Sequence, residues 1–242
     1  MYPRHFFLAL SFLSRLWPAR TSSEKDFARC LPWFPLVGLI IGLVSALPVW
    51  LGLFGGYPWL MGWLTAGMSL WLTRGLHADG LADIADAWGS NASGERFWTI
   101  VKDSRAGAFG VLGLTMVLLG QVVSFGALAS EGRLGALVWC FVLGRGLSVM
   151  ALFLCRDMVR PGLSSLFAPG ATPRTLGLIV AQTLVLGLVL TTLRSVILGC
   201  IAGGVLLAFL VRLARRQRGF NGDFMGACII LGELAGALAA LV

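Results

Sequence analysis

Charged residues are scarce in this sequence. Only 12% of its 242 residues are Asp, Glu, Lys or Arg, whereas 57% are hydrophobic. A soluble globular domain carries about a quarter charged residues, so this scarcity excludes a soluble enzyme and predicts that most of the surface faces lipid. The sequence shows no internal repeat and no low-complexity tract, and we treat residues 1–242 as a single membrane-embedded domain.

Cysteine and histidine are also few. The five cysteines form no CxxC pair and no zinc-type spacing, and there are only two histidines. These absences argue against a disulfide framework, a zinc site and a redox motif. The apolar run Phe6–Leu13 is too short to cross a bilayer, and no small-residue cleavage site follows it. We therefore expect an interfacial segment rather than a signal peptide.

Long apolar runs make up most of the remaining chain. A bilayer core of ~30 Å needs about 20 apolar residues per helix. The sequence therefore predicts an all-α, polytopic integral membrane protein with about seven transmembrane helices. The predicted spans are 33–54, 57–75, 107–129, 134–154, 175–193, 195–212 and 223–241.

The basic residues predict the orientation. With seven spans, Arg133 and Arg194 fall on one side of the membrane, Arg145 falls inside a span, and the other 16 of the 19 basic residues fall on the opposite side. Cytoplasmic loops carry the excess of Lys and Arg in membrane proteins, so the N-terminus is predicted to lie in the cytoplasm. The net charge of +8 then comes from basic cytoplasmic loops, which face anionic lipid. No nucleic-acid partner is expected.

One polar stretch interrupts the apolar pattern: H-A-D-G-L-A-D-I-A-D, at residues 77–86. On a helix, Asp83 lies about 40° and Asp86 about 20° from Asp79, in opposite senses, because each residue advances the helix by ~100°. Three carboxylates on one stripe repel one another unless a cation lies between them. A solvated acidic face is the alternative, but the membrane setting and the scarcity of carboxylates elsewhere favour a metal site. Oxygen ligands without Cys or a His pair suit Mg²⁺ or Mn²⁺.

A second polar motif, K-D-S-R at 102–105, extends the predicted site over the segment 76–110. Its two basic residues flank Asp103, where they can pair with the carboxylate or help to hold a metal-bound phosphate. Together with the aspartate stripe, this motif indicates phosphoryl transfer, in which a carboxylate accepts the proton of an attacking hydroxyl. Asp86 and Asp103 are comparable candidates for that base.

Glycines accompany both motifs. Gly80 costs the helix ~1 kcal/mol inside the stripe, which indicates close approach of another helix or of substrate, or else a break in the helix. The segment Gly107–Gly110 opens the third span, where unpaired backbone N–H groups can bind an anion. Simple glycine packing at the membrane entrance is an equal alternative for that segment.

Other polar residues stand at the ends or inside the apolar spans. His77 is either a substrate-contacting residue or a helix-start residue at the interface. Asn221 and Asp223 open the last span, where helix capping is the expected role. Arg145 and Glu233 lie well inside apolar spans, where a charge costs ~2.5–3.5 kcal/mol. Such residues face a cavity or pair with each other.

Taken together, these motifs resemble the cobalamin synthase family. That family's pattern reads H-x-D-G-L-A-D-x-x-D-G and then K-D-S-R-x-G-x-x-G, and residues 77–86 and 102–110 match it, although Ala87 replaces a common glycine. The similarity covers nearly the whole chain, with weaker matches at 11–20, 33–42 and 220–227 and at Arg145 and Glu233.

The resemblance implies a specific reaction. Adenosylcobinamide-GDP would be joined to α-ribazole, or to its 5′-phosphate, giving adenosylcobalamin or its phosphate and releasing GMP, as the final step of nucleotide-loop assembly. The resemblance also implies Mg²⁺ as cofactor and a multi-pass enzyme of the bacterial inner membrane, with its active site facing the cytoplasm. A homo-oligomer or a biosynthetic complex stays open, since glycine-rich membrane helices readily associate.

The resemblance further implies roles for individual residues. The expected catalytic residues and metal ligands are Asp79, Asp83, Asp86 and Asp103. The expected substrate-binding residues are His77, Lys102, Ser104, Arg105, Arg145, Asn221 and Asp223, with Lys102 and Arg105 contacting phosphate.

Two alternative functions fit the sequence less well. CDP-alcohol phosphotransferases also place spaced aspartates at a membrane face, but their D-x-x-D-G-x-x-A-R motif and later G-x-x-x-D-x-x-x-D motif do not occur here. A non-enzymatic transporter would use Arg145 and Glu233 as intramembrane charges. Transporters more often show paired repeats with broken helices, and no such pair is evident.

Overall fold

The computed structural model describes residues 3–18 and 22–242. Arg20, one of the 16 basic residues predicted to lie on the cytoplasmic side, is outside the described residues. The end of the segment 11–20 that resembles the family is also outside them. The described chain is helical, with one isolated bridge between Val159 and Phe220, so the all-α prediction is confirmed. The α-helices are α1 (Pro3–Leu13), α2 (Glu24–Ala28), α3 (Phe34–Trp50), α4 (Pro58–Thr73), α5 (Leu76–Gly89), α6 (Glu95–Val101), α7 (Ala108–Ser130), α8 (Leu134–Leu154), α9 (Leu163–Phe167), α10 (Pro173–Leu190), α11 (Leu193–Arg216) and α12 (Gly222–Leu241).

Each predicted span coincides with one helix of at least 16 residues. Within the described residues, six helices are long and apolar enough to cross a bilayer, with Glu24–Trp50 counted as one helical stretch. The remaining predicted span is α4, which has 16 residues and covers ~24 Å at ~1.5 Å per residue. A helix this short can cross where the bilayer thins locally. The chain is a polytopic α-helical membrane protein.

The helix α8 lies at the centre of the bundle. Most of its 21 residues are buried, and it contacts α3, α10, α11 and α12. Glycines allow close packing there, since a Cβ on Gly144 would lie 2.5 Å from the Ile229 carbonyl oxygen on α12. The outer helices α7, α10 and α11 instead expose apolar side chains such as Met116, Val189 and Val205. These outer faces are suited to lipid.

One end of the bundle, here called the site face, collects the short helices. There α3, α7, α10 and α12 begin and α4, α8 and α11 end, with α1, α5, α6 and α9 between them. The Arg74 guanidinium donates to the carbonyls of Ser11 at 3.2 Å and Phe12 at 3.1 Å, and the Arg15 N–H donates to the Leu72 carbonyl at 2.8 Å. These bonds tie α1 and the residues after it to the end of α4, directly before α5 begins.

Candidate active site

The aspartate stripe lies on α5, which packs against the start of α12. A Cβ on Gly80 would lie 2.8 Å from the Asp223 Cα, and a Cβ on Gly226 would lie 3.2 Å from the His77 carbonyl oxygen. The close approach predicted for Gly80 is therefore confirmed, and its partner is α12. Because α5 is continuous from Leu76 to Gly89, the glycine does not break the helix.

Three carboxylates, those of Asp79, Asp83 and Asp223, form what we call the acidic group. The pKa of Asp83 is raised to about 7, mainly by burial and further by the charges of Asp223, Asp79 and Asp86. Asp223 was expected only at a helix cap or in the substrate cleft, but its carboxylate is the charged neighbour with the largest effect on Asp83. A bound cation would relieve this repulsion between like charges.

Asp86 has a different environment, although it belongs to the same stripe. Its carboxylate accepts the Gly107 N–H at 2.6 Å and the Gly110 N–H at 2.8 Å. The anion expected at the start of the third span is thus a side chain of the protein itself, bound at the N-terminus of α7. A Cβ on either glycine would lie 2.3 Å from an Asp86 carboxylate oxygen, so a side chain at either position would displace this carboxylate.

The K-D-S-R motif forms the exposed connection between α6 and α7. The Arg105 guanidinium donates to both Asp103 carboxylate oxygens, at 3.0 and 2.8 Å. These hydrogen bonds are the main cause that lowers the pKa of Asp103 to about 2, which makes this carboxylate a weak base. Lys102 and Ser104 are exposed beside the pair, and Ala106 follows in the wall of an adjacent cleft.

A cavity of ≈ 270 Å³, here called the histidine cavity, lies beside the acidic group. Its polar wall comes from His77, Asp79, Asn221 and Asp223, on α5 and at the start of α12. The His77 side chain is buried, and its Nε2 has no hydrogen-bond partner among the described residues. The apolar part of the wall includes Phe12, Leu13, Phe34, Phe167, Met225 and Ile229, with Ser164 among them.

Asn221 has two roles in this wall. Its side-chain oxygen accepts the Phe224 N–H at 3.3 Å, which caps α12 as predicted. Its side-chain amide donates to the Asp223 carboxylate. Asn221 therefore fixes the position of Asp223 at the edge of the histidine cavity.

A second and more exposed space, the open cleft, has a volume of ≈ 850 Å³. It shares Phe12, Leu76, Asp79 and Leu163 with the histidine cavity, and Asp79 is the charged member of that shared set. The remainder of its wall includes Leu8, Phe27, Arg74, Ala82, Ala106 and Leu114. Asp79 therefore stands where two separate spaces meet.

Arg145 and Glu233 pair inside the bundle, so of the two expectations for these residues the structure supports pairing. The Arg145 guanidinium donates to one Glu233 carboxylate oxygen, and the Gln121 amide donates to the other at 2.9 Å. Arg145 is fully buried and lines neither the histidine cavity nor the open cleft. It still acts on the site, because its charge adds to burial, the larger cause, in holding the pKa of His77 well below the usual value.

Sequence reasoning missed the α9 residues of the cavity wall and the third member of the buried cluster formed by Arg145 and Glu233. Ser164 and Phe167 come from α9, a short stretch without any polar motif, so no local signal marks them as cavity residues. Gln121 lies inside the third predicted span. Polar side chains inside a span usually face the bundle interior and bind one another, so this amide could have been predicted as a partner of Arg145 or Glu233.

The acidic group meets the requirements of magnesium only in part. Within residues 3–18 and 22–242, no three His, Cys, Asp or Glu side chains converge into a complete metal-ligand set. Mg²⁺, however, keeps several waters and usually takes one or two carboxylates together with substrate phosphates. The repelling carboxylates around Asp83 therefore fit an ion that is bound jointly with a diphosphate.

The chain also matches known proteins along its length. Residues 5–241 match the family model described as Cobalamin-5-phosphate synthase. A relative from Nitratidesulfovibrio vulgaris strain Miyazaki F, named Adenosylcobinamide-GDP ribazoletransferase, is 45% identical over 239 residues, which cover 99% of this chain and 95% of the relative. Proteins of the same name from Pseudomonas fluorescens and Klebsiella pneumoniae are 38% and 34% identical, covering 95% and 98% of this chain and 96% and 99% of those relatives.

No solved structure gives a significant match to the chain. The family match nevertheless includes α5, the connection to α7 and the start of α12, which together carry the acidic group. The chain therefore belongs to the cobalamin-5-phosphate synthase family.

Proposed function

We propose that this protein joins adenosylcobinamide-GDP to α-ribazole, or to its 5′-phosphate, and releases GMP. Its relatives carry the name of that activity. The observation that carries the proposal is the meeting of the histidine cavity and the open cleft at Asp79. A transferase must hold two substrates against one reacting centre, and two adjoining spaces beside a group of carboxylates suit that task.

The proposed chemistry is a phosphoryl transfer. A hydroxyl oxygen of α-ribazole attacks the phosphorus attached to cobinamide, and the bond from that phosphorus to GMP breaks as the new P–O bond forms. The hydroxyl proton passes to a carboxylate of the protein. Asp223 suits this role because it lines the histidine cavity and keeps lone pairs beyond the one that accepts from Asn221. Asp86 instead binds two backbone N–H groups with its two oxygens, and both Asp103 oxygens are paired with the Arg105 guanidinium.

Asp79 and Asp83 would hold the Mg²⁺ cofactor together with the diphosphate of the substrate. When bound, the ion supplies positive charge that offsets the charge developing on the leaving GMP. Lys102 and Arg105 lie on the exposed connection before α7, where they can contact the nucleotide phosphates. In this proposal Asp86 contributes by fixing the start of α7 next to the acidic group.

The proposed location is the bacterial inner membrane, with the site face toward the cytoplasm. The described basic residues on the connections at that face greatly outnumber Arg133 and Arg194 on the opposite connections. The positive-inside rule supports this orientation. The outward apolar faces of α7, α10 and α11 support contact with the bilayer.

The test of this function is a defined assay. Purified protein in lipid nanodiscs, with Mg²⁺, adenosylcobinamide-GDP and α-ribazole, should release GMP, and EDTA should stop the release. Asp83→Asn should lower turnover by about 10²-fold or more, while Glu131→Gln, on the opposite connection, should retain full turnover. A folded wild-type protein that releases no GMP with both substrates and Mg²⁺ present would contradict the proposal.

A further inference from the structure

The volume of the histidine cavity limits what can enter it. At ≈ 270 Å³ it lies just below the range of roughly 300–1,000 Å³ that holds drug-sized molecules. A corrin macrocycle with its side chains exceeds such a space, whereas a two-ring base does not. The open cleft, at ≈ 850 Å³ and in contact with the surroundings, has the room that the larger substrate needs.

The wall of the histidine cavity has the chemistry of an aromatic-ring site. The Phe12 and Phe167 rings meet edge to face with centroids 4.8 Å apart, and the Phe34 and Phe167 rings do so at 5.7 Å. A planar base added to such a cluster makes further stacked or edge-to-face contacts, which contribute beyond simple burial. The cluster comes from α1, α3 and α9, whereas the carboxylates that line the cavity come from α5 and α12.

His77 offers a ligand in this cavity a hydrogen-bonding group that the described part of the chain leaves unpaired. Its side chain is 3% exposed, and its Nε2 has no partner among the described residues. An unsatisfied buried polar group is costly, and a ligand atom that completes the hydrogen bond removes that cost. An imidazole nitrogen can donate or accept, depending on the tautomer.

We propose that the histidine cavity binds the base of α-ribazole, with His77 hydrogen-bonded to the polar edge of that base, and that the open cleft receives the cobinamide side of the other substrate. This inference rests on the proposed function and deepens it. α-Ribazole carries a benzimidazole, whose two fused rings are apolar except for a ring nitrogen at one edge. With the base in the cavity, the sugar hydroxyls lie toward Asp79 and Asp223 at its polar wall.

Paired variants test the assignment of the two spaces. Ser164 lines the histidine cavity and Leu114 lines the open cleft, and neither belongs to the other space. Ser164→Leu should raise the KM for α-ribazole at least tenfold and leave the KM for adenosylcobinamide-GDP within twofold. Leu114→Trp should do the reverse, since it narrows only the open cleft.

His77 is tested in the same assay. His77→Ala should raise the KM for α-ribazole about five- to tenfold, which corresponds to one lost hydrogen bond of ~1 kcal/mol, and His77→Gln should recover part of that loss. A rise confined to the KM for adenosylcobinamide-GDP, or an equal rise in both KM values, for Ser164→Leu and His77→Ala would overturn the inference.

A measurement on the wild-type protein guards against variants that do not fold. A photoreactive azido-benzimidazole riboside should label peptides that contain Phe167, Met225 or Ile229, which line only the histidine cavity. Labelling of Phe27 or Leu114 in the open cleft, in protein that releases GMP, would overturn this inference alone. Wild-type protein that releases no GMP would instead overturn the proposed function.

Discussion

Asp83 and Asp86 lie three residues apart on α5, yet their carboxylates have different neighbours. Burial, and after it the charges of nearby carboxylates, raise the pKa of Asp83 to about 7. Asp86 accepts two backbone N–H groups from the start of α7. The ionised form is disfavoured at the first position and hydrogen-bonded at the second, so loss of the charge should have opposite effects on stability.

The corresponding prediction concerns thermal unfolding. In EDTA at pH 8, above the Asp83 pKa of about 7, Asp83→Asn should leave Tm unchanged or raise it, because the substitution removes the ionised carboxylate. Since the folded-state pKa is raised, wild-type stability should increase as the pH falls through 7, and the variant should lack this change. Asp86→Ala should lower Tm, because two N–H groups of α7 lose their acceptor at ~1–3 kcal/mol.

Scanning fluorimetry in detergent measures both effects, and Glu131→Gln serves as a control in which an exposed carboxylate is removed. Equal losses of Tm in Asp83→Asn and Asp86→Ala would contradict the assignment of distinct roles. A pH dependence that is the same in wild type and Asp83→Asn would remove Asp83 as its source.

At the scale of elements, the position of α5 against α12 depends on Gly80. Helix propensity alone favours alanine there by ~1 kcal/mol, but the added Cβ would lie 2.8 Å from the Asp223 Cα, a backbone atom that cannot move independently. Gly80→Ala should therefore lower both Tm and turnover. Gly67→Ala is the matched control, since a Cβ at that position on α4 meets nothing within 4 Å, and its Tm should hold or rise.

The elements also show what the sequence could predict. Hydropathy located the long helices well, because a bilayer requires apolar runs of nearly fixed length: the span predicted at 134–154 is α8, Leu134–Leu154. The span predicted to reach 54 ends at Trp50, since apolar residues near the interface do not by themselves mark a helix end. The residue pattern of one helix also does not determine which neighbouring helix each of its side chains contacts.

For the candidate site, the correct predictions concern positions on one helix, and the missed ones concern contacts between helices. The sequence grouped the aspartates of α5, because i, i+4 and i+7 positions share a helix face. Whether Asp86 met a cation or the N-terminus of α7 depended on packing between helices far apart in the chain. The contribution of α9 likewise arises only because the fold brings that segment over the start of α3 and α12.

At the scale of the whole molecule, a buried polar cluster joins three helices. Arg145 on α8, Glu233 on α12 and Gln121 on α7 are connected by hydrogen bonds in the interior. Removing one partner of a buried ion pair costs ~3–5 kcal/mol, because the other charge is left uncompensated, whereas replacing both with apolar residues is often tolerated. Glu233→Leu alone should therefore lower Tm strongly, and Arg145→Met combined with Glu233→Leu should recover most of the loss.

The exposed pair on the opposite connection provides the control for this double substitution. Arg133 and Glu131 are 3.4 Å apart at the surface, where an ion pair contributes ~0–1 kcal/mol. Arg133→Met, Glu131→Leu and their combination should each change Tm little. If Glu233→Leu also changed Tm little, the buried cluster would not be a stabilising connection between the helices.

The orientation of the whole chain depends on whether α4 crosses the membrane. With α4 crossing, seven spans place the N-terminus and the site face in the cytoplasm and the C-terminus outside. If α4, at 16 residues, did not cross, six spans would return the C-terminus to the side of the N-terminus. We expect a crossing, because the two ends of α4 lie at opposite ends of the bundle. Arg74 ends α4 at the site face beside α1. The start of α4 packs against the last turns of α7 at the other end, where a Cβ on Gly126 would lie 2.2 Å from the Pro58 carbonyl oxygen.

Reporter fusions in bacterial cells test this count. Alkaline phosphatase needs disulfides, which form outside the cytoplasm, so a fusion after Val242 should be active and a fusion within the 90–94 connection between α5 and α6 should be inactive. A fluorescent protein that folds only in the cytoplasm should give the opposite pattern at the same two positions. An inactive phosphatase after Val242 would mean six crossings. An active phosphatase at 90–94 would place the acidic group outside the cytoplasm and would contradict the orientation expected from the positive-inside rule.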